Sequence, residues 1–215
     1  MNSKLAAMMR LDLAGLRPAV GSLAILMTIA LVMGIGFKQP AIGLPMLGVG
    51  FAVLPLQLFT ADEAYGLRRL YGALPLRRND VINSRYLLNV IFLVISIVLV
   101  YAMVLASGQA DEPGMLLAPI WMGIVLVLFP AMQVPMAVKF GSRKAMWAIV
   151  VPYAILMAIG YLAMSQPRAK DALLDALAWA STHPVGITAI GVAVAIALLA
   201  TSWVISQRIY AAQDH

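Results

Sequence analysis

Ala61-Asp62-Glu63-Ala64-Tyr65-Gly66-Leu67-Arg68-Arg69-Leu70-Tyr71-Gly72-Ala73-Leu74-Pro75-Leu76-Arg77-Arg78-Asn79-Asp80-Val81-Ile82-Asn83-Ser84-Arg85 decides how the chain is organised. These 25 positions hold eight of its 24 charged residues and lie between two long apolar runs. Thr60-Ala61-Asp62-Glu63 has the spacing of a capping box, in which the Thr60 hydroxyl and the Glu63 carboxylate would satisfy free amides of a first turn. A short helix is therefore expected to begin at Thr60. Asp62 and Glu63 would sit at its positive end and Arg68 and Arg69 near its negative end, with Gly72 as a left-handed stop. Gly66 inside so short a helix costs about 1 kcal/mol relative to alanine. The stretch before Pro75 should be extended, and Asn79 or Asp80 can cap the next helix. Helix, turn and helix between two apolar spans make a rigid handle on the water side of a membrane. The plainer reading is a solvated loop whose arginines only fix orientation.

Working outward, composition agrees with a membrane setting. The chain has 215 residues, 63% of them hydrophobic and 11% charged, whereas roughly a quarter are charged in soluble domains. Six apolar runs leave room for one membrane domain over 1–215 and no second folded unit. A net charge of +6 would suggest nucleic acid in a soluble protein. Here the excess lies beside apolar spans, where lipid phosphates and orientation account for it, and a nucleic-acid role is rejected. No cysteine is present and only two histidines, which excludes disulfides, thiolate sites and a cysteine nucleophile.

Residues 1–17 place Leu5, Met8, Met9, Leu13 and Leu16 at roughly helical spacing, with Lys4, Arg10, Asp12 and Arg17 elsewhere. This predicts a helix lying on the bilayer surface rather than a cleaved signal. Spans are expected at 18–37, 41–59, 86–107, 114–138, 145–164 and 185–205, since about 20 apolar residues cross a bilayer. The third helix should begin near Asp80 and project into water, continuing the charged 61–85 segment. Pro45 and Pro55 interrupt the second span, Pro119, Pro130 and Pro135 the fourth and Pro152 the fifth. Freed carbonyls at such breaks need partners from protein or water. Lys139 to Lys144 form a second basic turn. Between spans five and six, Leu173, Leu174, Leu177 and Ala178 oppose Lys170, Asp171 and Asp175, predicting an external amphipathic helix. One side of this layout (1–17, 61–85, 139–144 and 206–215) carries 12 of the 15 lysines and arginines. That asymmetry puts both termini and the handle in the cytoplasm.

Chemistry of its own is not expected. By these boundaries no span core holds Asp, Glu, Lys, Arg or His, and buried charge is what membrane enzymes and ion-driven carriers use. Nucleotide-, zinc- and serine-hydrolase motifs are absent, so no catalytic, cofactor or metal residue is assigned. Gln57, Asn89 and Gln133, with Met132 and Met136, are the candidate lining of a pathway. Interhelical hydrogen bonding and gap-filling are the blander account of the same residues.

Asp62-Glu63-x-x-Gly66, then Leu74-Pro75-Leu76-x-Arg78 and Asn83-Ser84-Arg85-Tyr86, resembles a run found in small bacterial ABC-2 permeases, membrane subunits of type V exporters that include exporters of amphipathic peptides. Phe140-Gly141-Ser142-x-Lys144 resembles their second cytoplasmic turn. The resemblance covers nearly the whole layout and about 35 residues in motif. It implies an all-α membrane fold with six spans, an N-terminal interfacial helix, a coupling helix between spans two and three, and an external helix between five and six. It also implies a separate ATPase subunit carrying ATP and Mg, a second permease copy, and a multi-pass place in the bacterial cytoplasmic membrane among its lipids. Carried over, Asp62, Glu63, Tyr65, Leu67, Arg68, Arg69 and Leu70 become the docking helix, and Arg77, Arg78 and Arg143 support it. Glu63→Lys or Arg68→Glu should then leave folding intact and abolish partner-stimulated ATP hydrolysis. The alternative is a stand-alone six-span immunity, sensor or scaffold protein whose basic loop binds lipid or a regulatory partner.

Overall fold

A computed structural model describes residues 3–66, 78–112, 114–147, 150–151, 154–155, 158, 161–162, 165–166, 170–172, 175, 179–180 and 182–212. Among them are helices and turns and no strand. Helix α1 covers Ser3–Gly15 and α2 Arg17–Leu31, prolonged by a π-helical turn over Val32–Gly36. Helix α3 covers Pro40–Tyr65 and α4 Arg78–Ser107. A 3₁₀ turn, Met115–Leu117, leads into α5, Ala118–Phe140, followed by the one-turn α6, Ser142–Ala145, and by α7, Pro184–Ala211. Proline explains several of the starts: α2, α3, α5 and α7 each carry one in the first turn. There its missing N–H removes nothing and its fixed φ favours the helix.

Five described stretches are long and apolar enough to cross a membrane: Arg17–Gly36, Ile42–Tyr65, Asp80–Ser107, Met115–Phe140 and Pro184–Ala211. They correspond to the expected first, second, third, fourth and sixth spans. The expected fifth span and external helix fall largely outside the described residues, as does the coupling segment from Leu67 to Arg77. At 30 residues, α4 is about 45 Å long.

Three local expectations are corrected. No helix begins at Thr60, because α3 runs straight through it to Tyr65. The Thr60 hydroxyl donates to the Leu56 carbonyl at 3.0 Å, the back-bond a threonine makes inside a helix, so it is not free to cap. Helix α3 stops at Gly66, left-handed at φ 63, so what was expected to weaken a helix interior ends one; Gly72 lies outside the described residues. Asn79 and Asp80 lie inside the first turn of α4, which starts at Arg78.

Helix α3 is the most enclosed of the described spans, 61% buried against at most 28% for the other four. Around it α4, α5 and α7 close the core through Leu56, Phe59, Ile82, Tyr86, Val134 and Val138, backed by Leu199. Farther along, Ala30, Leu47, Val100 and Met103 join α2, α3 and α4. Lipid chains are as apolar as these side chains, so close packing and interhelical hydrogen bonds carry the association. Pro135 cannot supply the N–H that the Ala131 carbonyl would take, and Ser202 of α7 donates to that carbonyl instead, at 2.8 Å.

The N-terminal helix differs from its expected aspect. Met8, Asp12 and Leu16 are buried, at 1%, 4% and 5% exposure, while Leu13 is 46% exposed. Positions four apart share a helix face, so the stripe turned to the bundle contains a carboxylate that was assigned to water.

Candidate functional site

Four elements converge at the end of the bundle where α3 stops and α4 starts. On α4, Val81, Ser84, Arg85 and Leu88 are all buried, and their spacing is one helical stripe with a charge in its middle. Arg85 is 2% exposed. Its Nη2 donates to the Asp62 carboxylate of α3, itself 5% exposed. The guanidinium carbon lies 4.1 Å from the centroid of the Phe59 ring, a stacked position that a planar cation fills better than an ammonium. From α1, Asp12 accepts a hydrogen bond from the Ser84 hydroxyl at 2.6 Å.

These charges lie just beyond the expected span cores, yet all three are buried. Helix α3 extends past the expected end of its span at Phe59, and α4 starts at Arg78, two residues before the expected Asp80; together they bring Asp62 and Arg85 into buried contact. One cation faces two carboxylates, and Asp12, Asp62 and Arg85 each make a hydrogen bond or ion pair, as burial demands. Burial pushes the Asp12 carboxyl above its ordinary value of 3.8, with Arg85 and the Ser84 hydroxyl pulling the other way and Asp62 adding to the rise. A raised carboxyl holds its proton more tightly in the fold than in the unfolded chain. Its ionised form therefore costs stability at neutral pH, and that cost fades as pH falls through the raised value. Asp12→Asn should accordingly melt higher than the parent at pH 7, with the gap closing toward pH 3.8. A lower melting temperature at pH 7 would mean that attraction to Arg85 outweighs burial.

The second lock joins α3 to the turn after α5. The Glu63 carboxylate accepts from the Ser142 amide at 2.7 Å and from the Ser142 hydroxyl. Between α5 and α6, Gly141 adopts φ 87 and ψ 168, a conformation essentially reserved for glycine. A Cβ there would stand 2.9 Å from Glu63 Oε1. Glycine is thus needed twice over, for the backbone and for the carboxylate's seat.

A third set of bonds ties α4 to α7. Asn83 Oδ1 accepts from Trp203 Nε1 and Gln207 Nε2, both at 2.9 Å. The Tyr86 hydroxyl meets Ser202 at 2.6 Å and Ser206 at 2.9 Å.

The expected docking residues divide. Asp62 and Glu63 face inward as described. Tyr65 is 62% exposed at the tip of α3, and Arg143 is exposed on α6. Leu67, Arg68, Arg69, Leu70 and Arg77 lie outside the described residues, and Arg78 opens α4.

The candidate pathway residues are not gathered on one lining. Gln57 and Met136 are half-buried and Met132 is exposed. Gln133 is buried and donates across to the Ala52 carbonyl at 3.2 Å. Asn89 lines a small cavity between α3, α4 and α5.

Sequence reasoning missed Asp12 and the inward sense of Asp62 and Arg85. The signal was present as charges sitting in otherwise apolar stripes: Met8, Asp12, Leu16 on one helix and Val81, Arg85, Leu88 on another.

Comparison with known families gives a match over residues 8–211 to the family described as ABC-2 family transporter protein. No curated protein and no solved structure matches.

Proposed function

The chain belongs to the ABC-2 transporter family, and from that premise we propose that it is an export permease driven by a separate ATP-binding-cassette ATPase. Membership makes it a membrane component of a transporter, the class of subunit that partners with such an ATPase. Docking, export, and an amphipathic peptide- or lipid-like substrate extend that reading. So do pairing of two permeases of the type V kind and a bacterial cytoplasmic membrane with both termini inside.

The observation that carries the proposal is the double lock at the tip of α3. Asp62 is tied to α4, which itself holds α1, and Glu63 is tied to the turn before α6. A push received at Tyr65 or in the segment after it is therefore delivered to several helices together rather than absorbed by a loose loop. Closure of an ATPase dimer would move two such levers and switch the access of a path between the permeases. In this arrangement Asp62 and Glu63 position the lever, while Tyr65, Leu67, Arg68, Arg69 and Leu70, supported by Arg77, Arg78 and Arg143, meet the ATPase. ATP and Mg are held by that partner.

The test is reconstitution with the ATPase that co-purifies from native membranes. Tyr65→Glu and Arg68→Glu should each lower permease-stimulated ATP hydrolysis by about fivefold or more, the scale of a coupling free energy, with the melting temperature unchanged. Undiminished stimulation in both variants would refute docking through this segment. A chain that brings down no ATPase, and binds anionic vesicles in a strongly salt-dependent way, would leave the stand-alone reading in its place.

A further inference from the structure

Asn89 is 7% exposed, and neither its amide nitrogen nor its amide oxygen has a hydrogen-bond partner among the described residues. Buried amides are normally paired. Its side chain borders a cavity of about 20 Å³ shared with Phe51, Pro55, Leu126 and Pro130. Proline has no N–H, so Pro55 and Pro130 leave the Phe51 and Leu126 carbonyls without their usual helical donors. Both of those residues border the same cavity. Donor and acceptor capacity thus collects around a space of the right size for one water or one hydroxyl.

The cavity shares its walls with a larger space. Val90, Leu93, Val127 and Leu199 line both it and an apolar groove of about 260 Å³ between α4, α5 and α7. On α4 the groove runs from Val90 to Ile97, about 10 Å along the helix. Gly123 keeps its wall low, since a Cβ there would meet Ile97 Cδ1 at 2.8 Å. Among the described residues no ionisable side chain lines either space, so a charged head would be stripped of water without compensation from them. A neutral head of one hydroxyl matches both the volume and the amide.

We propose that this groove binds an amphiphile drawn from the surrounding bilayer, with its chain along α4, α5 and α7 and a single neutral hydroxyl hydrogen-bonded to Asn89. Binding requires neither the ATPase nor transport, so its failure would leave the permease reading untouched.

The experiment uses the purified chain in phosphatidylcholine nanodiscs and decanol bearing a photoreactive group in its chain, with adducts mapped by mass spectrometry. Adducts should concentrate on the groove, and decanol should compete roughly tenfold better than decane or decanoate, the worth of one well-made hydrogen bond. Asn89→Leu should erase that preference. Ile196 is 64% exposed at the groove, so Ile196→Trp should fill it from the lipid side without disturbing the fold and remove the adducts whatever the head. Even labelling over all lipid-facing helices, labelling that survives Ile196→Trp, or an unchanged preference in Asn89→Leu would overturn the proposal and leave the cavity to one buried water only.

Discussion

Arg85→Met should lower the stability of the purified protein by about 3–5 kcal/mol, because it takes from the buried Asp62 carboxylate the guanidinium it is paired with. Asp62 and Asp12 both face this guanidinium across α3 and α1, and water has little access, since the three residues are 2–5% exposed. Arg85→Lys should recover only part of the loss: an ammonium keeps the charge but not the planar stack on Phe59 or the forked donors. The double variant Arg85→Met, Asp62→Leu should recover part of the loss relative to Arg85→Met alone, because it removes the Asp62 carboxylate from the buried site and leaves only Asp12 without the guanidinium it faced. Denaturant titration with helix content as the readout checks all three. If Arg85→Met and the parent unfold together, the network adds nothing to the fold.

The loss should also reach function ahead of global unfolding. Arg85 is where α1, α3 and α4 are joined, so a variant that survives in the membrane would carry a lever no longer fixed to its bundle. Stimulated ATP hydrolysis should then fall even at temperatures where helix content is normal.

Five of the expected spans were legible because each is a long apolar run with proline near its start or a polar turn at its end. Ser107 and the α4 start near Asp80 were read within two residues, and Pro184 within one. The charged end of the bundle was not legible, for two different physical reasons. Thr60-x-x-Glu63 satisfies a capping box and the middle of a continuing helix equally well. Only the position of the Leu56 carbonyl separates them, and that is a property of the helix already formed. Asp12 and Arg85 come together from elements 73 positions apart, so no local window contains both. A carboxylate on an amphipathic N-terminal helix reads as solvated until its partner is known. Gln133 illustrates the opposite case. Its depth was evident from the span around it, and its bond to Ala52 is of the interhelical kind.

Glu63→Ala should cost about 2–3 kcal/mol, since the two donors of Ser142 lose a charged acceptor in a half-buried site. From the sequence alone Glu63→Lys served as a docking variant expected to fold normally; its seat against Ser142 makes it a structural one, and it too should be destabilised. Gly141→Ala should cost about 3 kcal/mol, part from forcing a Cβ residue into a glycine conformation and part from its methyl pressing on Glu63 Oε1. The combination is the informative measurement. In Glu63→Ala, Gly141→Ala the carboxylate that the methyl would meet is gone, so the double variant should be less destabilised than the two losses added, by about 0.5 kcal/mol or more. Strict additivity would mean that the clash is relieved elsewhere and that the strain at residue 141 is purely of the backbone. In either single variant the turn before α6 comes away from α3, so melting temperature and ATPase stimulation should fall together. Tyr65→Glu, by contrast, should lose stimulation alone, and that split separates the residues that build the lever from those that meet the motor.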